Sequence, residues 1–216
     1  MPMCVMQSML GRSMDAAICK DIFSIRANVR SVGYRAVGST HDWWHRKPFS
    51  EAEAEACGSA HHTPLQMLLD REGDYIDTPQ VVVDCTPLHR HLDAQAIHSG
   101  EHTLVIERMV QDPNLVHLLQ RVKMAFALFI RGKPLEKNFE ILCVDPYGQS
   151  RSVAFARIVA HCLCQARVAV IAVDHISKSS WQTACCRGEC DECTNSPMSA
   201  AKADALRRAY AIWIGL

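Results

Sequence analysis

The chain has no excess of charge. Its 23 Lys and Arg are matched by 23 Asp and Glu over 216 residues, so it lacks the overall basicity of a typical nucleic-acid binder and any RNA contact has to be local. The 11 His add positive charge only below neutral pH or beside a carboxylate. Long apolar runs are missing too: the one at Met1 to Met9 is broken by Pro2, Gln7 and Ser8, so no membrane segment is expected. No secretory leader, internal repeat or low-complexity linker is visible in the sequence. A Gly-x-x-x-x-Gly-Lys-Ser/Thr loop for a nucleoside triphosphate is also absent. Cysteine, by contrast, is abundant. An odd count of 11 without a leader points to reduced thiols in the cytoplasm or another reducing compartment, not to a disulfide framework.

Periodicity then gives the elements. Ile22 to Tyr34 alternates apolar and polar residues, with Phe23, Ile25, Ala27 and Val29 on one face, the period of a strand. Val81 to Cys85 reads as a second strand, Phe139 to Val144 as a third and Val168 to Val173 as a fourth. Helical spacing marks His102 to Val110, Asn114 to Ile130, Arg151 to Cys164, Ser199 to Trp213 and a short Pro64 to Arg71. The last long helix is expected to turn Ala203, Leu206, Ala209, Tyr210 and Trp213 inward. Alternating strands and helices predict an α/β fold, a mostly parallel sheet with flanking helices, plus a Cys-rich C-terminal segment. The expected division is a poorly structured extension over 1–21, the α/β domain over 22–174, and the Cys-rich knot with its helix over 175–216.

Where the third strand hands over to its helix, Asp145 to Ser152 gathers polar residues. A helix N-terminus offers unsatisfied N–H groups and a partial positive charge, a natural receptor for phosphate or carboxylate. Gly148, Gln149, Ser150, Arg151 and Ser152 are therefore the predicted anion-binding residues, with Arg151 as a bidentate fork and a serine as cap. His89 and His91 follow the second strand and belong to the same edge if the sheet is parallel. The plainer reading is that βα loops commonly contain Gly and Ser and that Arg151 lies over the surface.

The Gly-x-Ser-Arg-Ser-Val core within Phe139 to Ala160 resembles the C-terminal domain of the RNase adapter protein RapZ family. Val29 to Gly38 looks like that family's first strand, Val83-Asp84-Cys85 falls where it has Asp-Val-Arg, and Ser99-Gly100 near its Thr-Gly. The resemblance runs from about residue 22 to 174. It implies an adapter or sensor in which Gly148, Arg151, Ser152 and Asp84 match the family's residues and the partner is RNA or a phosphorylated small molecule of the sugar-phosphate type. The family's separate nucleotide-binding domain has no counterpart here. Ser150 replaces the family's His, and the longer Cys143 to Tyr147 brings in Asp145, which repels an anion unless Arg151 or a His compensates. Self-association into a homo-oligomer is left open.

The alternative is an enzyme. Cysteine phosphatases set a thiolate at a strand end and an Arg at the next helix, a pattern that Cys143 and Arg151 mimic. Seven residues separate those two, too many for the amide cradle, so catalysis is the lesser reading. In the knot, Cys186-x-x-x-Cys190-x-x-Cys193 places three thiols for Zn²⁺, with Cys185 or His175 as fourth ligand. Surface thiols are the bland alternative, and the same spacing occurs in radical S-adenosylmethionine enzymes, which place it near the start of a barrel. Asp42 to Lys47, with Trp43 and Trp44, suits stacking on single-stranded RNA or anchoring of a loop. His61, His62 and His98 are further candidates for metal or phosphate, against the commoner role of a solvent-facing polar group.

Overall fold

The computed structural model describes residues 25–33, 79–88, 98–132, 137–181 and 185–216. The predicted helix at Pro64 to Arg71, the aromatic-basic stretch Asp42 to Lys47, and His61, His62, His89 and His91 all lie outside these residues.

Four strands, β1 (Arg26–Gly33), β2 (Val81–Asp84), β3 (Asn138–Asp145) and β4 (Ala169–His175), form one sheet in the order β2-β3-β1-β4. Every pairing is parallel. Helices α1 (Thr103–Val110) and α2 (Asn114–Arg131) connect β2 to β3, and α3 (Arg151–Gln165) connects β3 to β4 across β1. After β4 come α4 (Lys178–Trp181), a 3₁₀ turn (Cys185–Gly188), the short α5 (Asp191–Thr194) and the long α6 (Ala200–Gly215).

Alternation along the strands sends Ala27, Val29, Val81, Val83, Phe139, Ile141 and Cys143 into a core shared with Ala154, Phe155, Ile158 and Val159 of α3. α3 packs on β1, β3 and β4, and α2 on β2 and β3. The C-terminal helix shares this core. Its Ala205, Leu206, Ala209 and Trp213 belong to the same core, α6 packs on α1, α2 and α3, and the buried Lys123 Nζ donates to the Trp213 carbonyl at 2.9 Å. Ser199 caps α6, accepting from Lys202 N–H. Ala205 rather than Ala203 is the fully buried residue of its first turns.

At the carboxyl ends of β1 and β3, two backbones meet. A Cβ on Gly33 would lie 2.2 Å from the Tyr147 carbonyl carbon and 2.3 Å from Gly148 N. Gly148, at φ +64°, faces Gly33 N from the other side. Gly33→Ala therefore has to push apart the central strand and the following loop. A loss of about 3 kcal/mol, the upper range for overpacking, is expected in urea unfolding. A neutral substitution would mean that the two segments separate freely.

Candidate functional site

The strand-end loop is closed by its own carboxylate. Asp145, 2% exposed, accepts on Oδ1 from the N–H groups of Tyr147 at 2.8 Å and Gly148 at 2.5 Å, and on Oδ2 from Ser152 N–H at 2.7 Å. The main-chain donors predicted to receive an external anion thus hold an internal one. Ser150 occupies the N-cap position of α3 without a side-chain capping bond. Capping falls to Asp145 because a carboxylate on the last strand residue reaches back to the first turn of the helix. Gln149 gives its carbonyl to Gly100 N–H at 2.8 Å. A Cβ on Gly100 would come within 2.2 Å of the Ser150 carbonyl oxygen, so the turn at 98–101 seals the loop from above.

The predicted guanidinium is buried, not surface-borne: Arg151 is 3% exposed and its Nη1 donates to the Thr86 carbonyl at 3.1 Å. Asp84 closes the turn after β2 by accepting from Thr86 N–H at 2.8 Å. The alternative nucleophile, Cys143, is 0% exposed and sits in the core. Its neighbour Cys85 has its thiol pushed well up by burial first and then by the hydrogen bond to Cys143. Cys143 is thus wrapped in the core beneath α3, away from the surface where a phosphate ester would approach.

A second site is assembled from two distant segments. His98, Cys186, Cys190 and Cys193 bring one ligand atom each to within 4.8 Å of one another. His98 Nδ1 lies 2.9 Å from Cys186 Sγ and 3.6 Å from Cys193 Sγ, and the two sulfurs are 3.6 Å apart. The four can hold a metal ion. Cys190 precedes α5 and Cys193 lies within it, while Cys186 takes φ +52° on the 3₁₀ turn. Burial, and then hydrogen bonds to Cys185 and Cys193, hold the Cys186 thiol well above its usual value, so a cation has to displace its proton. Ser99 N–H donates to Cys193 Sγ at 3.4 Å, the kind of outer contact that steadies a ligating sulfur. Glu192 ties α5 to α1 by accepting from Thr103 N–H at 2.7 Å, and His98 stacks on His102 at 3.7 Å.

Of the predicted ligands, the three cysteines at 186, 190 and 193 converge. The fourth position belongs to His98, not to Cys185 or His175. Cys185 lies 3.6 Å from Cys186 by sulfur but outside the group of four, in a buried cluster with Val153, Trp181 and Cys193. His175 is committed elsewhere, its Nδ1 2.7 Å from Ser31 Oγ and its Nε2 2.6 Å from Glu101 Oε1.

That Glu101 contact belongs to a buried network which sequence reasoning missed. The carboxylate also accepts from Arg157 Nε at 2.6 Å and from Ser196 Oγ, and Ser196 Oγ in turn accepts from Lys202 Nζ at 2.9 Å. Burial pushes the Glu101 carboxyl up, but the hydrogen bond from His175, the charge of Arg157 and the Ser196 hydroxyl outweigh it, lowering the pKa from 4.5 to about 2. A folded-state value below the unfolded one stabilises above pH 4.5, and the contribution is lost as pH falls toward 2. The difference corresponds to about 3 kcal/mol. Unfolding midpoints from pH 5.5 down to 2.5 should fall more steeply in the wild type than in Glu101→Gln; parallel curves would exclude the network as the cause.

The fold and site together define an all-parallel α/β protein with a Cys₃His cluster beside its carboxyl edge. No protein family, curated protein or solved structure matches the chain. Among the described residues, no helix is long and apolar enough to cross a membrane.

Proposed function

We propose that this chain is a non-catalytic binding module, an α/β adapter whose C-terminal segment is pinned by one structural Zn²⁺ held by His98, Cys186, Cys190 and Cys193. The convergence of those four donors carries the proposal. A tetrahedral Zn²⁺ with bonds of about 2.0–2.3 Å sets its ligand atoms about 3.5–3.8 Å apart; the two separations of 3.6 Å to Cys193 Sγ fall in that range, and the 2.9 Å between His98 Nδ1 and Cys186 Sγ has to widen to admit the ion. Three thiolates and an imidazole make a closed set, the pattern of structural rather than catalytic zinc. A four-iron cluster, as the cysteine spacing alone would also allow, spreads its sulfur ligands around a larger body than one ion.

The adapter reading draws support from the segments that resemble the RapZ C-terminal domain. Val29 to Gly38, Ser99-Gly100 and the loop before α3 lie far apart in sequence, yet Gly33 and Gly100 each press against that loop's backbone at positions where a Cβ would clash. With the amides engaged by Asp145 and Arg151 buried against the Thr86 carbonyl, a phosphorylated small molecule or RNA phosphate would have to draw Arg151 from that contact rather than rest on an amide cradle. In that case affinity falls steeply with salt and drops in Arg151→Ala.

Metal analysis of purified protein tests the central claim. One Zn²⁺ per chain is expected, lost in Cys190→Ser and His98→Ala. Protein that retains no metal, with every thiol reacting at once with a thiol reagent, would remove it.

A further inference from the structure

The knot contains one thiol more than a four-coordinate ion needs. Cys185 is 3% exposed, its sulfur 3.6 Å from that of the half-buried ligand Cys186, and it packs against Val153 and Trp181 at the start of the helical layer. We propose that Cys185 is a resolving thiol: hydrogen peroxide oxidises the ligand Cys186, Cys185 closes a disulfide with it, and the metal is released. This rests on the zinc reading above.

The placement divides the labour. Cys186 is the more exposed of the two residues and takes the oxidant, whereas Cys185 is screened from solvent beside it. A ligand cysteine acting as resolver would first have to leave the ion, and Cys185 does not. In the first step the Cys186 thiolate attacks a peroxide oxygen, the O–O bond breaks, and the departing hydroxide takes a proton from solvent to become water, leaving a sulfenic acid. In the second, the Cys185 sulfur attacks the sulfenic sulfur, the S–O bond breaks, and the thiol proton leaves with hydroxide as a second water. Each sulfur gives up one electron and the peroxide is reduced by two.

Cys186 then no longer offers a thiolate, and the ion is left with His98, Cys190 and Cys193. Neighbouring residues are joined by a 3.8 Å Cα separation, shorter than the 4.4–6.8 Å usual for a disulfide. The bond formed is therefore strained and readily reduced, which makes the modification reversible.

The test uses the full chain loaded with Zn²⁺, treated with hydrogen peroxide, with release followed by a chromogenic chelator. Cleavage after Lys178 and Arg187 yields a peptide carrying Cys185 and Cys186 and no other cysteine. That peptide should lose the mass of two hydrogens as the ion departs, and a dithiol reductant should restore both thiols and uptake. Cys185→Ala should bind one Zn²⁺ as the wild type does but release it about tenfold more slowly. Cys185→Ser, of nearly equal size, guards against a packing defect in the alanine variant. Release at the wild-type rate in both variants, or a disulfide linking Cys190 to Cys193 instead, overturns the proposal while leaving the zinc site intact. A chain that takes up no Zn²⁺ overturns both.

Discussion

Replacing Asp145 with Ala is expected to lower stability by about 4 kcal/mol, since three main-chain donors lose a charged acceptor at once and each such bond contributes roughly 1.5–3 kcal/mol before overlap. For a chain of this length that corresponds to a drop in Tm of about 8–16 °C. The variant has a second, more telling property. The bared N–H groups of Tyr147, Gly148 and Ser152, at the start of α3 and around the positive φ of Gly148, form the concavity that binds anions elsewhere. Inorganic phosphate should therefore raise the Tm of Asp145→Ala and leave the wild type unmoved. Asp145→Asn, which keeps an acceptor but not the charge, should fall between. If phosphate stabilises the wild type as much as the variant, the loop is an open receptor and the internal carboxylate is not its occupant.

The contrast between that loop and the rest of the fold shows what a sequence can carry. Strand and helix positions were legible because burial on one side imposes a period: Ala27 and Val29 on β1, with Ile25 just before it, and Leu115, Leu119, Val122 and Phe126 on α2, are buried as their spacing implies. Parallel pairing followed from the alternation of strands and helices. Asp145 was legible as a charge near the loop, but not as its cap. The same carboxylate repels a ligand or replaces one according to a rotation about two side-chain bonds, and no period encodes that rotation.

His98 presents the complementary difficulty. Three members of the cluster announced themselves by local spacing, as residues on one turn and one short helix do, whereas the fourth is 88 residues from Cys186. Only the return of the chain to α1 brings them together. Glu101 and His175, 74 apart, were hidden for the same reason. The C-terminal helix is legible from its pattern but its packing partners are not, because amphipathicity says that a face is covered and not by what. Trp213, wholly buried among the helical layer, supplies the answer.

Withdrawing the proposed metal should expose how much of that layer depends on the knot. For an ion bound at a free concentration near a thousand times its Kd, removal costs about 4 kcal/mol, again a Tm drop of about 8–16 °C. The loss should be local in its first consequences. His98 precedes the turn that carries Ser99, Glu101 and Thr103, and α5 is fastened to that turn by Cys193 and Glu192. Without the ion, amide exchange should quicken over residues 99–103 and 185–195, while β1, β3 and α3 keep their protection because the core beneath them is unchanged. Cys193→Ser should reproduce the chelated wild type and respond no further to chelator, whereas Cys185→Ala should stay as sensitive as the wild type. If metal analysis shows that the ion has left and neither Tm nor exchange has moved, the four ligands bind a passenger and the α1–α5 contact is held by its hydrogen bonds alone.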